Sequence, residues 1–203
     1  MLGLLPLALA AALAGLGAGT ADAASIKEQT TYFAVHGTTL QDLDRDLSRR
    51  GPFLADTGLH HPGATEISFG GKITYKHVPE GCAVNRVGIT LGLKTTLPKW
   101  TPPAGASART RLIWNTLAAD IVRHEGRHSA IAKQWATRME MAIRNLAPRS
   151  SCAAMEAAVG RVTSRYLAWH ADAQVQFDEI EGREVSMRLR RALNRAAEEQ
   201  AAR

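Results

Sequence analysis

Ile121 to His128 reads Ile-Val-Arg-His-Glu-Gly-Arg-His, an H-E-x-x-H pattern set in a long segment of helical character. Positions four apart share a helix face, so His124 and His128 project side by side. Two imidazoles so placed can grip one zinc ion, and Glu125 can reach a water at that ion as general base. The apolar stripe Ile113, Leu117, Ile121, Ile131, Trp135 and Met139 runs through both histidines. It predicts that both rings lie on the buried side, where an unengaged polar ring is costly. The competing reading is a pair of hydrogen-bonded core histidines with a glutamate on the neighbouring turn. Gly126 inside the helix costs about 1 kcal/mol relative to alanine. It therefore calls for a reason such as close backbone packing beside the site.

A catalytic zinc takes three protein ligands and keeps one position open. The acidic run Asp178-Glu179-Ile180-Glu181 lies far enough beyond His128 for the chain to turn back antiparallel and supply the third. Helical geometry puts Glu181 almost on the azimuth of His170 and beside Phe177, facing the core, with Asp178 roughly 80° from His170. Asp178 and Glu181 are thus rival third ligands, and a solvated acidic face is the plain alternative. His170 is a further candidate ligand. Tyr166 and His170, one turn apart on the facing helix, are candidate donors to a developing oxyanion. The pair His60-His61, followed by Pro62, reads as a surface turn rather than a chelate.

The elements that must position these residues fall into two halves. Thr30 to Val35 is β-branched and aromatic, a first strand, and Thr38 or Thr39 can cap a short helix over 40–50 with Leu40, Leu43 and Leu47 on one face. Thr65 to Phe69 and Lys72 to His77 flank Gly70-Gly71, a hairpin signal, and Cys82 to Leu97 forms a longer alternating strand. Pro98 to Pro103 ends the sheet and links it to the helical half. There, one helix spans about 107–146, and a second begins near Cys152 with Val159, Val162, Tyr166, Trp169, Ala173, Phe177 and Ile180 at helical spacing. The expected fold class is α+β: a small, mainly antiparallel sheet in the N-terminal half and two long antiparallel helices carrying the motif. The expected boundaries are a sheet-rich half over 24–103, a helical half over 104–185 and a solvated, charged tail over 186–203.

The 203 residues, 45% hydrophobic and 22% charged, suit one ordinary globular domain. A net charge of +6 is moderate, and the cluster Arg188, Arg190, Arg191 has no interleaved aromatics, which argues against nucleic acid as a partner. Residues 1–23 are Leu-, Ala- and Gly-rich and end in Ala21-Asp22-Ala23, the pattern of a cleaved signal peptide. That run is too short and glycine-rich for a permanent membrane span. The expectation is a mature chain from Ala24, exported to the periplasm or cell exterior. Two cysteines in an exported chain suggest one disulfide, Cys82–Cys152, with two inert buried thiols as the alternative. Nothing in the sequence fixes an oligomeric state.

Thr31-Tyr32-Phe33-Ala34-Val35-His36-Gly37-Thr38, Gly51-Pro52, Gly63-Ala64-Thr65, Cys82-Ala83-Val84 and Thr96-Leu97-Pro98-Lys99-Trp100 occur in that order. Trp114, His124-Glu125-Gly126-Arg127-His128 and Cys152 follow. In this order and spacing the chain resembles a bacterial family of secreted, zinc-dependent-protease-like proteins long catalogued only as a domain of unknown function. The resemblance implies a zincin-like metallopeptidase with His124 and His128 as zinc ligands and Glu125 as general base. The family pattern also implies an aromatic-Asp pair followed by Thr-x-His-Gly. Phe177-Asp178 fits the pair, but the His-Gly position falls near Arg183-Glu184, which leaves Asp178 as the ligand carried over. The expectation is an exported zinc metallopeptidase acting on a peptide or protein substrate. The alternative is a catalytically silent envelope protein that keeps the fold and binds a partner.

Overall fold

The structure, a computed structural model, describes residues 24–55 and 57–201. The expected signal peptide lies outside the described residues. Strand β1 (Ser25–Val35) leads to helix α1 (Leu40–Arg50), a short pair β2 (Phe53–Leu54) and β3 (Leu59–His60), and two long strands, β4 (Ala64–Val78) and β5 (Gly81–Trp100). Helices α2 (Ala108–Arg144) and α3 (Cys152–Ala201) complete the chain. The expected α+β class holds: a sheet fills the N-terminal half and long helices fill the C-terminal half.

The sheet differs from expectation in three respects. Its order is β1-β5-β4, with the longer β4–β5 ladder antiparallel and β1–β5 parallel, so the sheet is mixed, and the parallel pair is the part not expected. Gly70-Gly71 is not a turn. The strand runs straight through it, Gly70 pairing with Thr90 and Gly71 with Ile89. The glycines serve a close approach instead, since a Cβ on Gly71 would stand 2.4 Å from the Gly88 carbonyl oxygen. The hairpin turns at Pro79-Glu80, where Val78 pairs with Gly81. Strand β5 also continues past the expected end through Pro98 to Trp100. Beyond Thr96 its β4 neighbour has ended, so Pro98 lies where only β1 is paired and its missing N–H breaks no ladder on the β4 side.

Helix ends follow their capping chemistry. Thr39 and Asp42 form a reciprocal capping box at α1, and the Ser107 hydroxyl accepts from the Thr110 N–H at the start of α2. Two cores result. Val87, Ile89, Leu91 and Leu93 of β5 pack on Ala132, Ala136, Met139 and Ile143 of α2 and on Met155 and Val159 of α3. Val35, Leu43, Leu47, Trp100, Ala106 and Trp114 form the other, under α1. Cys82 and Cys152 are disulfide-bonded, tying the start of β5 to the start of α3. The segment expected to be a solvated tail continues α3 as helix. Arg188 anchors it, its Nε donating to Asp120 Oδ1 at 2.7 Å and its Nη2 lying 2.8 Å from Glu181 Oε2. Among the described residues no helix is long and apolar enough to cross a membrane.

Candidate metal centre

The buried residues of α2 include Ile121, Glu125, Ser129, Ala132, Ala136 and Met139, and this line faces the sheet. The histidines are not on it. His124 and His128 sit at its margin, toward α3, with side chains 29% and 14% exposed. Glu125 is the buried member of the motif, at 4%. The expectation that both rings lie on the buried side is thus corrected: they are half-buried, and their neighbour is the second helix, not the sheet.

Helix α3 brings Asp178 to them. His124 Nε2 lies 3.0 Å from His128 Nε2, and Asp178 Oδ1 lies 3.4 Å and 3.1 Å from those two atoms. Three donors at these separations lie on a circle of about 1.8 Å radius, so one ion at zinc distances of roughly 2.0–2.2 Å can touch all three from just off their plane. Two imidazole nitrogens and a carboxylate oxygen form a donor set suited to zinc. The residues present therefore fit the metal. Phe177 walls the cluster, its ring centroid 5.0 Å from each imidazole.

The rival ligand Glu181 stands on the other side of His124, 3.6 Å from Nδ1. Its carboxylate is engaged by Arg123 and by Arg188, and both arginines also grip Asp120. Burial works against the Glu181 charge, but the Arg123 hydrogen bond and the two guanidinium charges outweigh it and hold the carboxyl below the ordinary glutamate range. Glu181 braces the helix pair, and Asp178 completes the cluster.

Glu125 faces β4, where Thr65 Oγ1 donates to its Oε2 at 2.8 Å. Burial pushes its carboxyl above the ordinary range, a shift that the Thr65 hydrogen bond and the two nearby histidines oppose and Asp178 reinforces. Gly63 lets the chain pass this close: a Cβ there would stand 2.8 Å from Ile121 Cγ2 and 3.1 Å from Glu125 Oε1.

Tyr166 and His170, the candidate oxyanion donors, lie on α3 beside aromatic neighbours. The Tyr166 ring packs against Trp135 and Trp169, at 6.0 and 5.1 Å. His170 stacks edge-on against Phe69 at 4.9 Å and bonds to Gln174 through Nε2 at 2.8 Å. Burial and the charge of His128 hold its ring below the ordinary imidazole range. The pair His60-His61 does not form the expected turn: His60 ends strand β3, paired with Phe53, and bonds the Gly51 carbonyl through Nδ1, while His61 follows it and bonds the Thr57 hydroxyl through Nε2. Sequence reasoning passed over Thr65 and Gln174. Gln174 was detectable, since it lies one turn past His170 and one turn before Asp178 on the same helix face.

Gly126 has no packing reason to be glycine, because a Cβ there meets nothing within 4 Å. The expectation of close backbone approach is overturned. Gly126→Ala is therefore expected to raise stability by about 0.5–1 kcal/mol by reducing helix-interior entropy loss. Urea unfolding of the two proteins checks it, and a destabilised variant would show that the glycine has some other role.

These features define an α+β protein whose candidate metal centre joins a His-Glu-x-x-His helix to an acidic position on the next helix. The chain belongs to the family described as Bacterial protein of unknown function (DUF922), which matches residues 30–184 and so includes every residue of the cluster. No curated protein and no solved structure matches the chain.

Proposed function

We propose that this protein is an exported zinc-dependent metallopeptidase. The observation that carries the reading is the convergence of His124 Nε2, His128 Nε2 and Asp178 Oδ1 beside a buried glutamate one residue from the first ligand. His124, His128 and Asp178 would hold the ion, three protein donors being the number that leaves a catalytic zinc one position for water or substrate. When bound, zinc supplies a Lewis acid that polarises a carbonyl and acidifies water. Glu125 would take the proton from the attacking water and pass it to the leaving amine. Thr65 holds the Glu125 carboxylate by Oε2 and thereby fixes its direction. Strand β4 supports a polypeptide substrate: among the described residues it pairs only with β5, and its outer row of backbone groups can receive an extended chain. Export rests on the leader-like sequence of residues 1–23 and fits a disulfide, which persists in oxidising compartments.

Zinc analysis of the purified chain tests the centre directly. Wild type and Glu181→Gln are expected to hold close to one zinc per chain, whereas His128→Ala and Asp178→Ala lose it. A wild type that retains no zinc after supply and removal of excess would overturn the reading. The silent, partner-binding alternative draws support from Arg183-Glu184, which stand where the family pattern implies His-Gly. Full zinc occupancy without hydrolysis of any peptide would favour it.

A further inference from the structure

Gln174 contacts three groups at once. Its Nε2 donates to the His128 carbonyl at 3.1 Å and lies 2.8 Å from His170 Nε2, while its Oε1 lies 2.7 Å from His128 Nδ1. A primary amide has two N–H donors and one acceptor oxygen, and its two ends can be exchanged only if both fit their neighbours. Here they cannot be exchanged. The His128 carbonyl is a pure acceptor, so the amide nitrogen must face it. The oxygen is then turned to His128 Nδ1, which must carry a proton to make that bond. The second amide hydrogen is aimed at His170 Nε2, which must therefore offer a lone pair and keep its own proton on Nδ1.

We propose that Gln174 is a positioning residue that locks His128 in the Nδ1–H tautomer and His170 in the same form. The consequence falls on the centre, and the inference rests on the metal reading for its purpose. With the proton pinned on Nδ1, the lone pair of His128 is on Nε2, the atom that faces His124 Nε2 and Asp178 Oδ1. A neutral imidazole can ligate only through its unprotonated nitrogen, and free histidine favours the opposite tautomer, with the proton on Nε2. The hydrogen bond from Gln174 to the carbonyl of the same residue adds a second fixed point, so the His128 ring and backbone are held to α3 together. His170, stacked on Phe69, extends the chain of contacts back to β4. One amide thus connects a candidate ligand on α2, a histidine on α3 and, through that histidine, the sheet.

The test needs no metal and no activity. Long-range hydrogen–nitrogen NMR correlations of the imidazole rings, recorded on the metal-free wild type near pH 8, are expected to show a proton on Nδ1 of both His128 and His170. In Gln174→Leu, His128 is expected to revert to Nε2–H. In Gln174→Glu, the carboxylate keeps His128 as Nδ1–H but has no hydrogen for His170, which is expected to switch to Nε2–H. A merely structural glutamine predicts no such exchange. His128 found as Nε2–H in wild type, or as Nδ1–H in Gln174→Leu, would overturn the proposal, and the wild-type spectrum alone decides even if a variant fails to fold. Zinc affinity is then expected to fall about 10- to 100-fold in Gln174→Leu. The expected tautomers in a wild type that binds no zinc would sustain the role of Gln174 and remove the peptidase reading.

Discussion

Replacing both cysteines, Cys82→Ala with Cys152→Ala, is expected to lower stability by about 4 kcal/mol through release of a closed loop of 70 residues. For a chain of this size that is a fall of roughly 8–16 °C in the unfolding temperature. The bond sits where its loss exposes most. Cys82 is fully buried among Val87, Ile89, Leu91 and Met155, and the backbones of Cys82 and Arg149 exchange two hydrogen bonds at 2.8 and 2.9 Å. Without the cross-link, the start of β5 is held to the loop before α3 by that pair of bonds and by apolar packing. Reductant-treated wild type should melt within a few degrees of the double variant, which separates the cross-link from the packing of the sulfurs. A double variant melting within about 2 °C of oxidised wild type would mean that the cross-link constrains the unfolded chain far less than its loop length implies.

The helices were readable in the sequence because their signals are local. Thr39 and Ser107 announce the starts of α1 and α2, and the four-residue spacing of His124 and His128 needs only a helix to bring the two rings together. The sheet was less readable because its decisive features are not local. The parallel pairing of β1 with β5 joins segments about sixty-five residues apart, from Ser25↔Thr90 to Val35↔Trp100, and no short pattern encodes it. Gly70-Gly71 shows the same limit from the other side. A glycine pair signals either a turn or a backbone close to something, and only the position of Gly88 on β5 decides between them. The end of α3 was underrated because an Arg-, Ala- and Glu-rich stretch resembles a frayed terminus. Those residues are also good helix formers, and Arg188 finds Asp120 and Glu181 waiting.

The site divides the same way. His124, Glu125 and His128 are adjacent in sequence and could be named at once. Choosing between Asp178 and Glu181 required knowing what α2 presents to α3. Helix azimuth favoured Glu181 as the inward residue, and it is inward, with its side chain 13% exposed. It is spent there on Arg123 and Arg188, whereas the more exposed Asp178 reaches both Nε2 atoms. A buried carboxylate with two arginines is stabilised as an ion pair, and an exposed one beside two imidazoles is free to ligate. Thr65 and Gln174 carry no metal-binding signature of their own, so their roles appear only when β4 and α3 are placed.

On the metallopeptidase reading proposed above, Glu125→Gln is expected to lower kcat for peptide hydrolysis by about 10²–10⁴-fold, while zinc content stays at the wild-type level. The substitution is nearly isosteric, and its amide oxygen can still accept from Thr65, so the packing beside Gly63 survives. What disappears is the acceptor for a proton. Glu125 is only 4% exposed, and its carboxyl already lies above the ordinary range through burial, which suits a base that must later return its proton to the leaving amine. Hydrolysis of a quenched fluorescent peptide library, followed at matched zinc occupancy, reads the effect. Equal rates in wild type and Glu125→Gln would remove Glu125 from the chemistry, since a water activated without it would need another base, and Asp178 would be held by the ion. Thr65→Val provides the intermediate case. It removes the one hydrogen bond that directs Oε2 while leaving the carboxylate in place, so its loss should be smaller than that of Glu125→Gln and should fall on kcat rather than on zinc content.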